Sequence, residues 1–446
     1  EYDPVLHHNS HRAVGVPGTV AGLHLAWSDF GSLSWQRLVE PAVMLARDGF
    51  TMSDALSQSL EGVLPHMADH PASVAQFSKA GEPYRAGETF RQPDLARTLV
   101  RIAEQGPAGF YEGETAELIE REMVSHGGLI TRQDLAAYRA KIRKPVETDY
   151  RGYRVTTNQP PGGGVMLAEM LNILENFDLK GLGYGSADAM HLLAESMKLV
   201  YADRSKYLGD PDFLTLPVKA LTSKAYAKDL ANGIDMEHAR ASTDIGPGVL
   251  AAYESPETTH YSILDSEGNA VVNTYTLMFS FGSGVVIDGA GFLMNNNLGN
   301  FTLRPDIPDA FGLMGSADNQ IAAGRRPVSS MTPIIVLSEG RPMLLTGSPG
   351  GSRIITTNLQ LLLNVMEYGM NIADATSAPR IHHQWQPDRL QVESGFSPDA
   401  IRILRARGHD VQYSAAMGSL QTVMFSDGLF YGYSDPRRPG ALSAGN

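Results

Sequence analysis

Apolar residues recur at two different intervals along the chain, and the change of interval separates a helical first half from a second half richer in strands. In the first half they recur every three or four residues, the spacing of one buried helix face. Thr131 stands three residues before Asp134, a capping-box-like start that predicts a short helix through Tyr138. Longer helices are predicted over residues 38–47, 94–104, 114–125, 165–177 and 187–207.

Short runs rich in β-branched and aromatic residues, bounded by turn residues, predict strands. These runs cover residues 144–148, 153–158, 261–264, 270–277, 285–287, 292–295, 334–337, 342–346, 390–392, 411–413 and 421–425. A turn at 265–269 pairs two of them, and helices are predicted over 352–367 and 372–378. This order of elements predicts an α+β or layered α/β fold, with helices packed on the faces of antiparallel sheet.

Composition narrows the possible functions mainly by exclusion. The chain has 446 residues and a formal net charge of −13, which argues against nucleic acid or an anionic membrane as partner. No apolar run approaches the roughly 18 residues of a membrane-spanning helix. The lack of cysteine excludes disulfides, thiolate zinc sites and cysteine nucleophiles. The chain starts at Glu1 without a signal peptide, so we expect that its true N-terminus is missing.

The most informative segment is Glu-Thr-Thr-His-Tyr-Ser-Ile at residues 257–263, which is typical of the start of a strand. It is compatible with a half-buried strand that carries two solvent-side threonines. It is also compatible with a latent nucleophile, because breaking the bond between Glu257 and Thr258 would give Thr258 a free α-amine. That amine can act as the base for the residue's own Oγ, so one residue would supply nucleophile and base.

A glycine-rich turn, Gly-Ser-Pro-Gly-Gly-Ser-Arg at residues 347–353, opens directly into a predicted helix. Glycines let backbone approach a ligand closely, and amides at a helix N-terminus suit a developing oxyanion. The alternative is an ordinary tight turn between strand and helix. A phosphate site is also conceivable, but the turn matches neither the Walker A motif nor the dinucleotide fingerprint.

Two further polar segments are candidates for substrate binding. Ser329 and Ser330 are adjacent and can hydrogen-bond a carboxylate, or merely cap a turn. The run Asn295-Asn296-Asn297-Leu298-Gly299-Asn300 can orient a polar substrate, or be plain turn chemistry.

Histidine pairs and serine motifs offer no stronger candidate. His66 and His70 are four residues apart but lack the glutamate of a metalloprotease helix, and neighbouring His382 and His383 point to opposite faces if they lie on a strand. We interpret these pairs as structural and predict no metal site. The chain has no Gly-x-Ser-x-Gly elbow, which disfavours an α/β-hydrolase serine.

Taken together, these stretches resemble the gamma-glutamyltransferase (gamma-glutamyltranspeptidase, glutathione hydrolase) family of N-terminal-nucleophile hydrolases. The resemblance runs from about Gly15 to the C-terminus. It rests on ordered motifs at residues 15–22, 129–131, 149–153, 201–204, 208–211, 258–261, 329–331, 347–357, 378–380, 382–385 and 434–438.

The resemblance implies a four-layer αββα fold and self-cleavage at Glu257–Thr258. Cleavage would give a mostly helical large subunit, residues 1–257, and a small catalytic subunit, residues 258–446. Thr258 would be the nucleophile that forms an acyl-enzyme with a glutamyl group, and Thr276 would hydrogen-bond and activate it. The remaining roles implied are an oxyanion hole from the amides of Gly350 and Gly351 and a carboxylate site from Ser329 and Ser330.

The implied reaction is cleavage of γ-glutamyl amide bonds, as in glutathione, with release of the acyl group to water or an acceptor amine. It requires no cofactor. The partners implied are this small molecule and the two subunits of one precursor, and the location implied is periplasmic or secreted. Relative to the family, about a hundred residues are expected before this chain, including an arginine that pairs with the substrate carboxylate. Residues 304–323 fall where some members have a lid loop.

Three positions depart from the family pattern. Asn300 stands where glutamyl-specific members usually have an aspartate that meets the substrate α-ammonium, and a neutral amide provides no countercharge. Leaving one partner of a desolvated charge pair alone costs about 2–5 kcal/mol. Met278 replaces an asparagine common in bacterial members, and Asn297 replaces a glutamine.

These departures suggest a weak preference for a substrate α-amine, and hence a glutaryl-amide or cephalosporin-acylase-like specificity. Asp306 or Asp309 in the lid segment would be able to restore the missing charge. A catalytically inactive homologue that retains only the cleavage site is the alternative from another functional class.

Overall fold

The computed structural model describes residues 3–245, 258–305 and 307–445. The chain forms two compact units. The helical unit comprises Glu1–Ile142 and Thr276–Gly299, and the sheet unit comprises Arg143–Tyr275 and Asn300–Asn446. These units are defined by packing, so the predicted division into subunits 1–257 and 258–446 stays a prediction.

The helical unit contains helices joined by short turns and two-residue strands. Its helices are α1 Pro4–His8, α2 Thr19–Phe30, α3 Trp35–Asp48, α4 Asp54–Val63, α5 Pro71–Phe77, α6 Pro93–Gln105, α7 Ala108–Tyr111, α8 Gly113–Ser125 and α9 Arg132–Ala137. Its strands are β1 Phe50–Thr51, β2 Ser78–Lys79, β3 Glu82–Pro83 and β4 Thr89–Phe90, and 3₁₀ turns cover His11–Ala13 and Leu64–Met67.

Local sequence signals explain where several of these helices begin. Thr131 and Asp134 form the predicted capping box of α9, and Pro93 occupies the first turn of α6, where its missing N–H is harmless. Two apolar clusters make up the core, one centred on Ile119 and Met294 and the other on Met67 and Phe90. Residues from 276–299 contribute to both clusters, which is why this distant segment belongs to the helical unit.

The sheet unit contains longer strands and buried helices. Its helices are α10 Gly164–Leu174, α11 Leu179–Leu182, α12 Ala187–Tyr207, α13 Val218–Leu221, α14 Lys224–Asn232, α15 Ile354–Met366, α16 Ile372–Ser377 and α17 Pro398–Ala406. Its strands are β5 Val146–Tyr150, β6 Tyr153–Thr157, β7 Thr259–Leu264, β8 Ala270–Tyr275, β9 Ile334–Ser338, β10 Arg341–Thr346, β11 Ile381–His382, β12 Leu390–Val392, β13 Val411–Tyr413, β14 Gln421–Ser426 and β15 Leu429–Ser434. Short 3₁₀ turns cover Ser242–Asp244, Ala317–Asn319 and Gly351–Arg353.

Within the described residues, the main sheet is antiparallel and has the order β15-β14-β10-β9-β6-β5. Strands β7 and β8 form a separate hairpin, in which Thr259 pairs with Tyr275 and Leu264 with Ala270. The hairpin packs against β10 and β14 of the main sheet, whereas α10 packs against β5 and α15. Every residue of α10 is buried, because α12 and α14 also pack against this helix.

Most predicted elements are confirmed, including α12 at its predicted bounds and the β7–β8 pair. The strands predicted at 285–287 and 292–295 are wrong in extent, since only the single bridge Val286–Leu293 forms there. Gly284, Gly289 and Gly291 all have positive φ, which interrupts the extended backbone that a longer strand needs. Among the described helices, none combines the length and apolarity needed to cross a membrane.

Candidate active site

Thr258 lies at the head of β7 in the sheet unit and is only 8% exposed. Its carbonyl oxygen accepts a hydrogen bond of 2.9 Å from Nη1 of Arg438. Its neighbour Thr259, the first residue of β7, is exposed. One threonine is therefore buried and the other is exposed. This differs from the interpretation in which both threonines face solvent. Glu257 and the predicted scissile bond lie outside the described residues.

His260 is the buried residue of β7 that follows this pair. Its Nδ1 lies 2.7 Å from Oγ1 of Thr274 on β8, and its Nε2 lies 3.0 Å from Oγ of Ser262. Because Ser262 donates its own hydroxyl hydrogen to the carbonyl of Gln421, it accepts from His260 Nε2–H. Burial lowers the pKa of His260 to about 3. The ring is thus neutral, with its lone pair occupied by Thr274, and it acts as an anchor rather than as a base.

The glycine-rich turn begins directly beneath this histidine ring. A Cβ on Gly347 would lie 2.3 Å from Nδ1 and Cε1 of His260, closer than any side chain tolerates. The carbonyl of Gly347 accepts from the amide of Gln421 on β14 at 3.0 Å. The absence of a side chain at Gly347 therefore allows the hairpin to seat on the main sheet.

The rest of the turn uses backbone conformations that glycine adopts readily and other residues rarely adopt. Gly350 has φ +139° and Gly351 has φ +54°, and both lie at the N-terminal end of α15. The hydroxyl of Ser348 donates to Pro349 O and accepts from the amide of Ser419 at 2.8 Å, which fixes the turn from below. The positive end of the helix dipole and the oriented amides make this a site suited to negative charge.

Ser329 and Ser330 are half-buried and lie shortly before β9. The amide of Ser329 donates to Pro161 O at 2.7 Å. Two residues further on, Met331 O accepts from Asn158 Nδ2 at 2.9 Å. The carbonyl of the next residue accepts from Nδ2 of Asn358 in α15. The Pro-Gly-rich loop before α10 and the N-terminal half of α15 thus fix both serines in place.

Asn300 also belongs to the sheet unit, where its carbonyl accepts from Asn319 Nδ2 at 2.9 Å. Asp309 has its Oδ1 bound to the amides of Phe311 and Leu313, at 2.8 and 3.0 Å. Desolvation raises the pKa of Asp309 to about 6. This carboxylate is committed to its own turn, which weakens the prediction that it replaces the missing countercharge. Asp306 lies outside the described residues.

The other three predicted residues, Thr276, Met278 and Asn297, belong to the helical unit. Thr276 Oγ1 accepts from the amide of Met278 at 2.8 Å, and Met278 is buried with φ +80°. A non-glycine residue in this region of φ is uncommon and marks a constrained backbone. Oδ1 of Asn297 is buried without a hydrogen-bond partner, which is a reason to expect a polar ligand there.

The sequence model described as gamma-glutamyltranspeptidase matches residues 2–445. The chain belongs to this family. It is 52% identical over 442 residues to a glutathione hydrolase proenzyme of Escherichia coli K12, which covers 98% of the chain and 76% of that relative. It is 36% identical over 441 residues to an acylase ACY 1 proenzyme of Pseudomonas sp. SE83, and the match covers 97% of this chain and 76% of that relative.

Solved structures agree with this membership of the gamma-glutamyltranspeptidase family. A cephalosporin acylase from Bacillus halodurans superposes with a TM-score of 0.86 at 29% identity, over 97% of this chain and 78% of that one. A gamma-glutamyltranspeptidase from Helicobacter pylori superposes with a TM-score of 0.55 at 41% identity, over 56% and 72%. The predicted fold class, α+β with the αββα arrangement of N-terminal-nucleophile hydrolases, is confirmed.

One feature of this gamma-glutamyltranspeptidase chain escaped sequence reasoning, a buried ionic network behind Thr258. Arg380 pairs with Asp435 at 2.5 Å, and Arg437 pairs with Asp435 and Glu393 at 3.1 and 2.6 Å. The network fixes the segment whose next residue, Arg438, holds the Thr258 carbonyl. The sequence signals were the motifs at 378–380 and 434–438, which give no indication of the residues that they contact.

Proposed function

We propose that this chain is a self-processing amidohydrolase and acyltransferase that cleaves γ-glutamyl amide bonds with Thr258 as nucleophile. The observation that carries the proposal is the buried Thr258 at the start of β7, with its carbonyl held by Arg438. Membership of the family supports the same reaction.

In the first step, Thr258 Oγ attacks the carbonyl carbon of the peptide bond that links Glu257 to Thr258. The new ester between Glu257 and Oγ forms as the C–N bond breaks, and the proton that Oγ loses passes to the α-nitrogen, which becomes the free amine. Water then hydrolyses this ester. Thr258 is left as the N-terminal residue of a small subunit, residues 258–446, beside a large subunit that ends at Glu257.

In turnover, the α-amine of Thr258 accepts the Oγ proton as Oγ attacks the γ-carbonyl of the substrate. The same amine then gives the proton to the departing amine, which leaves a γ-glutamyl ester on Oγ. Water or an acceptor amine attacks this ester and regenerates the hydroxyl. In this proposal Thr276 hydrogen-bonds Thr258 and favours its nucleophilic state.

The oxyanion is assigned to the amides of Gly350 and Gly351. They lie at the N-terminal end of α15, where backbone N–H groups and the helix dipole favour negative charge. The substrate α-carboxylate is assigned to Ser329 and Ser330, which lie just before Thr332, whose carbonyl accepts from Asn358 of the same helix. Asn297 is assigned to the substrate because its buried Oδ1 lacks a partner.

The acyl specificity is proposed to be γ-glutamyl, with glutaryl-like amides as the second candidate. Identity of 52% to a glutathione hydrolase proenzyme against 36% to an acylase favours the first. Asn300 favours the second, because an amide supplies no charge to a substrate ammonium group. Since Asp309 is bound within its own turn, it is not assigned the role of countercharge.

Intact-mass spectrometry of the complete gene product tests the reaction. We expect two species, the lighter beginning at Thr258, together with release of amine from a γ-glutamyl anilide. A single uncut chain would indicate loss of processing and favour an inactive homologue. Cleavage without turnover would show that Thr258 is reactive but that the acyl pocket is lost.

Specificity is tested by comparing hydrolysis of a γ-glutamyl anilide with that of its glutaryl analogue. We expect the wild type to prefer the γ-glutamyl compound modestly, and Asn300→Asp to raise that preference about tenfold or more, because a countercharge is restored. Equal preference in wild type and variant would show that Asn300 does not face the substrate amine. A wild-type preference for the glutaryl compound would establish the acylase specificity.

The two subunits are proposed to stay associated, as products of one precursor. A periplasmic or secreted location is proposed with them. Fractionation of cells that express the complete gene tests the location.

A further inference from the structure

Three consecutive asparagines, at residues 295–297, use their side chains differently. Asn297 Oδ1 is buried without a hydrogen-bond partner among the described residues. The side chains of Asn295 and Asn296 are instead bonded to backbone groups, and these two residues are only 5% and 0% exposed. Asn295 and Asn296 are therefore shielded from a substrate, and neither a substrate site nor a plain turn accounts for all three residues.

Asn295 bonds to Gly15 through both ends of its amide. Its Oδ1 accepts from Gly15 N–H at 3.0 Å, and its Nδ2 donates to Gly15 O at 2.8 Å. The same Oδ1 accepts from the amide of Asn297 at 2.9 Å, which closes an Asx-type turn. Because one oxygen holds both amides, it ties the backbone of Asn297 to a segment that lies 280 residues before Asn295.

Asn296 is bonded to the residues on both sides of Met278. Its backbone N–H donates to Leu277 O at 3.0 Å, and its Oδ1 accepts from Phe279 N–H at 3.1 Å. Its Nδ2 donates to His8 O at 3.1 Å. Met278 has φ +80°, a conformation that is uncommon for a residue other than glycine. The bonds on either side hold the backbone of Met278 in this conformation.

Met278 in turn bonds to Thr276, the residue proposed to activate Thr258. The amide of Met278 donates to Thr276 Oγ1 at 2.8 Å. A hydroxyl oxygen that accepts such a bond keeps its own hydrogen for another acceptor. Displacing Met278 would therefore displace the Oγ1 of Thr276 as well.

Gly299 fits this arrangement because it has no side chain. Its N–H donates to Asn296 O at 3.0 Å. A Cβ at this position would lie 2.7 Å from the ring of His8 and 3.2 Å from Cε of Met278. The two asparagines, the loop at 277–279 and the N-terminal segment are thus closely packed within the helical unit.

The amide side chain itself is needed at both positions. Asparagine offers a donor and an acceptor together, which a backbone carbonyl and a backbone N–H require. An apolar side chain would leave these buried backbone groups without partners, at a large cost in free energy. A shift of the backbone that lets water reach the groups reduces that cost. We therefore expect loss of either amide to displace the neighbouring backbone.

We propose that Asn295 and Asn296 are positioning residues for the acyl-transfer site. Asn295 sets the position of Asn297, and hence substrate binding, whereas Asn296 sets the position of Met278 and Thr276, and hence turnover. The inference rests on the proposed contact of Asn297 with the substrate and on the proposed role of Thr276. It assigns different kinetic effects to two neighbouring residues of the same type.

Steady-state hydrolysis of a γ-glutamyl anilide by the complete, self-cleaved protein tests the proposal. We expect Asn295→Ala to raise KM about tenfold with little change in kcat, because a contact to an unreacting part of the substrate persists in the transition state. Asn296→Ala should lower kcat about tenfold with little change in KM, because the activating hydroxyl is misplaced. Thermal unfolding measures the stability of each variant separately.

A double-mutant cycle separates positioning from a general loss of stability. Asn297→Ala removes the proposed contact, so adding Asn295→Ala to it should not raise KM further. The serine variants Asn295→Ser and Asn296→Ser retain a hydroxyl group and should show the same effects at smaller size. They decide the test if an alanine variant does not fold.

The matched control is Asn364→Ala in α15. Asn364 is 4% exposed and also donates to a backbone carbonyl, that of Ala375 at 3.2 Å. This variant should lose stability but keep the wild-type KM and kcat. An unchanged KM in the Asn295 variants, an unchanged kcat in the Asn296 variants, or a KM effect that persists beside Asn297→Ala would overturn the proposal.

A wild-type KM in Asn297→Ala alone would also overturn the positioning role of Asn295. It would leave the proposed reaction standing, because self-cleavage and turnover by the wild type test that reaction independently.

Discussion

The proposed nucleophile lies at the start of the β7–β8 hairpin, whereas the proposed oxyanion hole follows a strand of the main sheet. The two regions differ in how deeply their residues are buried. The hairpin has few fully buried residues, with Thr258 just before its first strand. Strand β10 becomes fully buried toward its end and leads straight into the glycine-rich turn. The nucleophile thus depends on anchors to its neighbours, whereas the oxyanion turn is fixed by its own sheet. Weakening an anchor should therefore reduce activity more than stability.

The largest effect is expected at the nucleophile itself. Thr258→Ala removes Oγ, so neither self-cleavage nor turnover can occur, while the fold should remain, because a small side chain is replaced by a smaller one. Intact mass should show a single uncut chain. Thr259→Ala is the matched control, since Thr259 is the adjacent threonine but faces solvent. Cleavage that persists in Thr258→Ala would refute the assignment of the nucleophile.

The next effect tests the contact between the two regions. Gly347→Ala places a methyl group 2.3 Å from the His260 ring, and overpacking of this kind costs typically 1–3 kcal/mol. We expect the hairpin to shift, so that kcat and the rate of self-cleavage fall by about tenfold or more. Denaturant unfolding would measure the stability loss beside the kinetics.

Gly62→Ala is the control for that substitution. Gly62 lies inside α4, and a Cβ there meets nothing within 4 Å. Alanine in place of glycine within a helix should be neutral or stabilising by up to about 1 kcal/mol. If Gly347→Ala kept full activity, the close packing of His260 on the turn would not be needed to position the nucleophile.

Local chemistry explains what sequence reasoning found in the site. Thr258 and the turn at 347–353 were identifiable because residue type and spacing alone indicate a reactive group or an anion site. The capping box at Thr131 and Asp134 was predictable for the same reason, because its partners lie three residues apart. The predicted strands at 285–287 and 292–295 shortened to one bridge because positive-φ glycines lie beside them and prevent longer extended segments.

Contacts between distant residues could not be predicted. Arg438 reaches a carbonyl 180 residues away, and the motif at 434–438 gives no indication of that contact. His260 and Gly347 are likewise joined only by the packing of hairpin on sheet. The unpartnered Oδ1 of Asn297 is visible only once burial is known. The sequence therefore indicated the reacting groups but not the residues that position them.

Arg438 is expected to have an intermediate effect, as a positioning residue for Thr258. Arg438→Ala removes the hydrogen bond to the Thr258 carbonyl, and a bond to a charged group contributes about 1.5–3 kcal/mol. We expect kcat to fall roughly tenfold with little change in KM, and Arg438→Lys to recover part of the loss. Arg341→Ala, at the exposed start of β10, is the control. An unchanged kcat in Arg438→Ala would show that the contact is incidental.

The smallest effect concerns how the hairpin responds to pH. The folded protein holds the pKa of His260 at about 3, below its ordinary value of 6.5, because the ring is buried. Between these two pKa values, His260 is therefore protonated in the unfolded chain but not in the folded chain. The contribution of His260 to the free energy of unfolding is therefore fully present above pH 6.5 and is lost as the pH falls toward 3. His382 and His383 behave alike, with pKa values lowered to about 3 and about 4.

His260→Gln isolates the contribution of the hairpin to that loss. Between pH 6 and 4, the variant should lose stability less steeply than the wild type by up to one proton, which is about 1.4 kcal/mol per pH unit. Denaturant midpoints at several pH values would measure this slope, with the exposed His238→Gln as control. An unchanged slope would mean that His260 gains a proton without unfolding. The hairpin would then separate locally from the sheet while the rest of the protein stays folded. Its attachment would not be part of the cooperative unfolding transition.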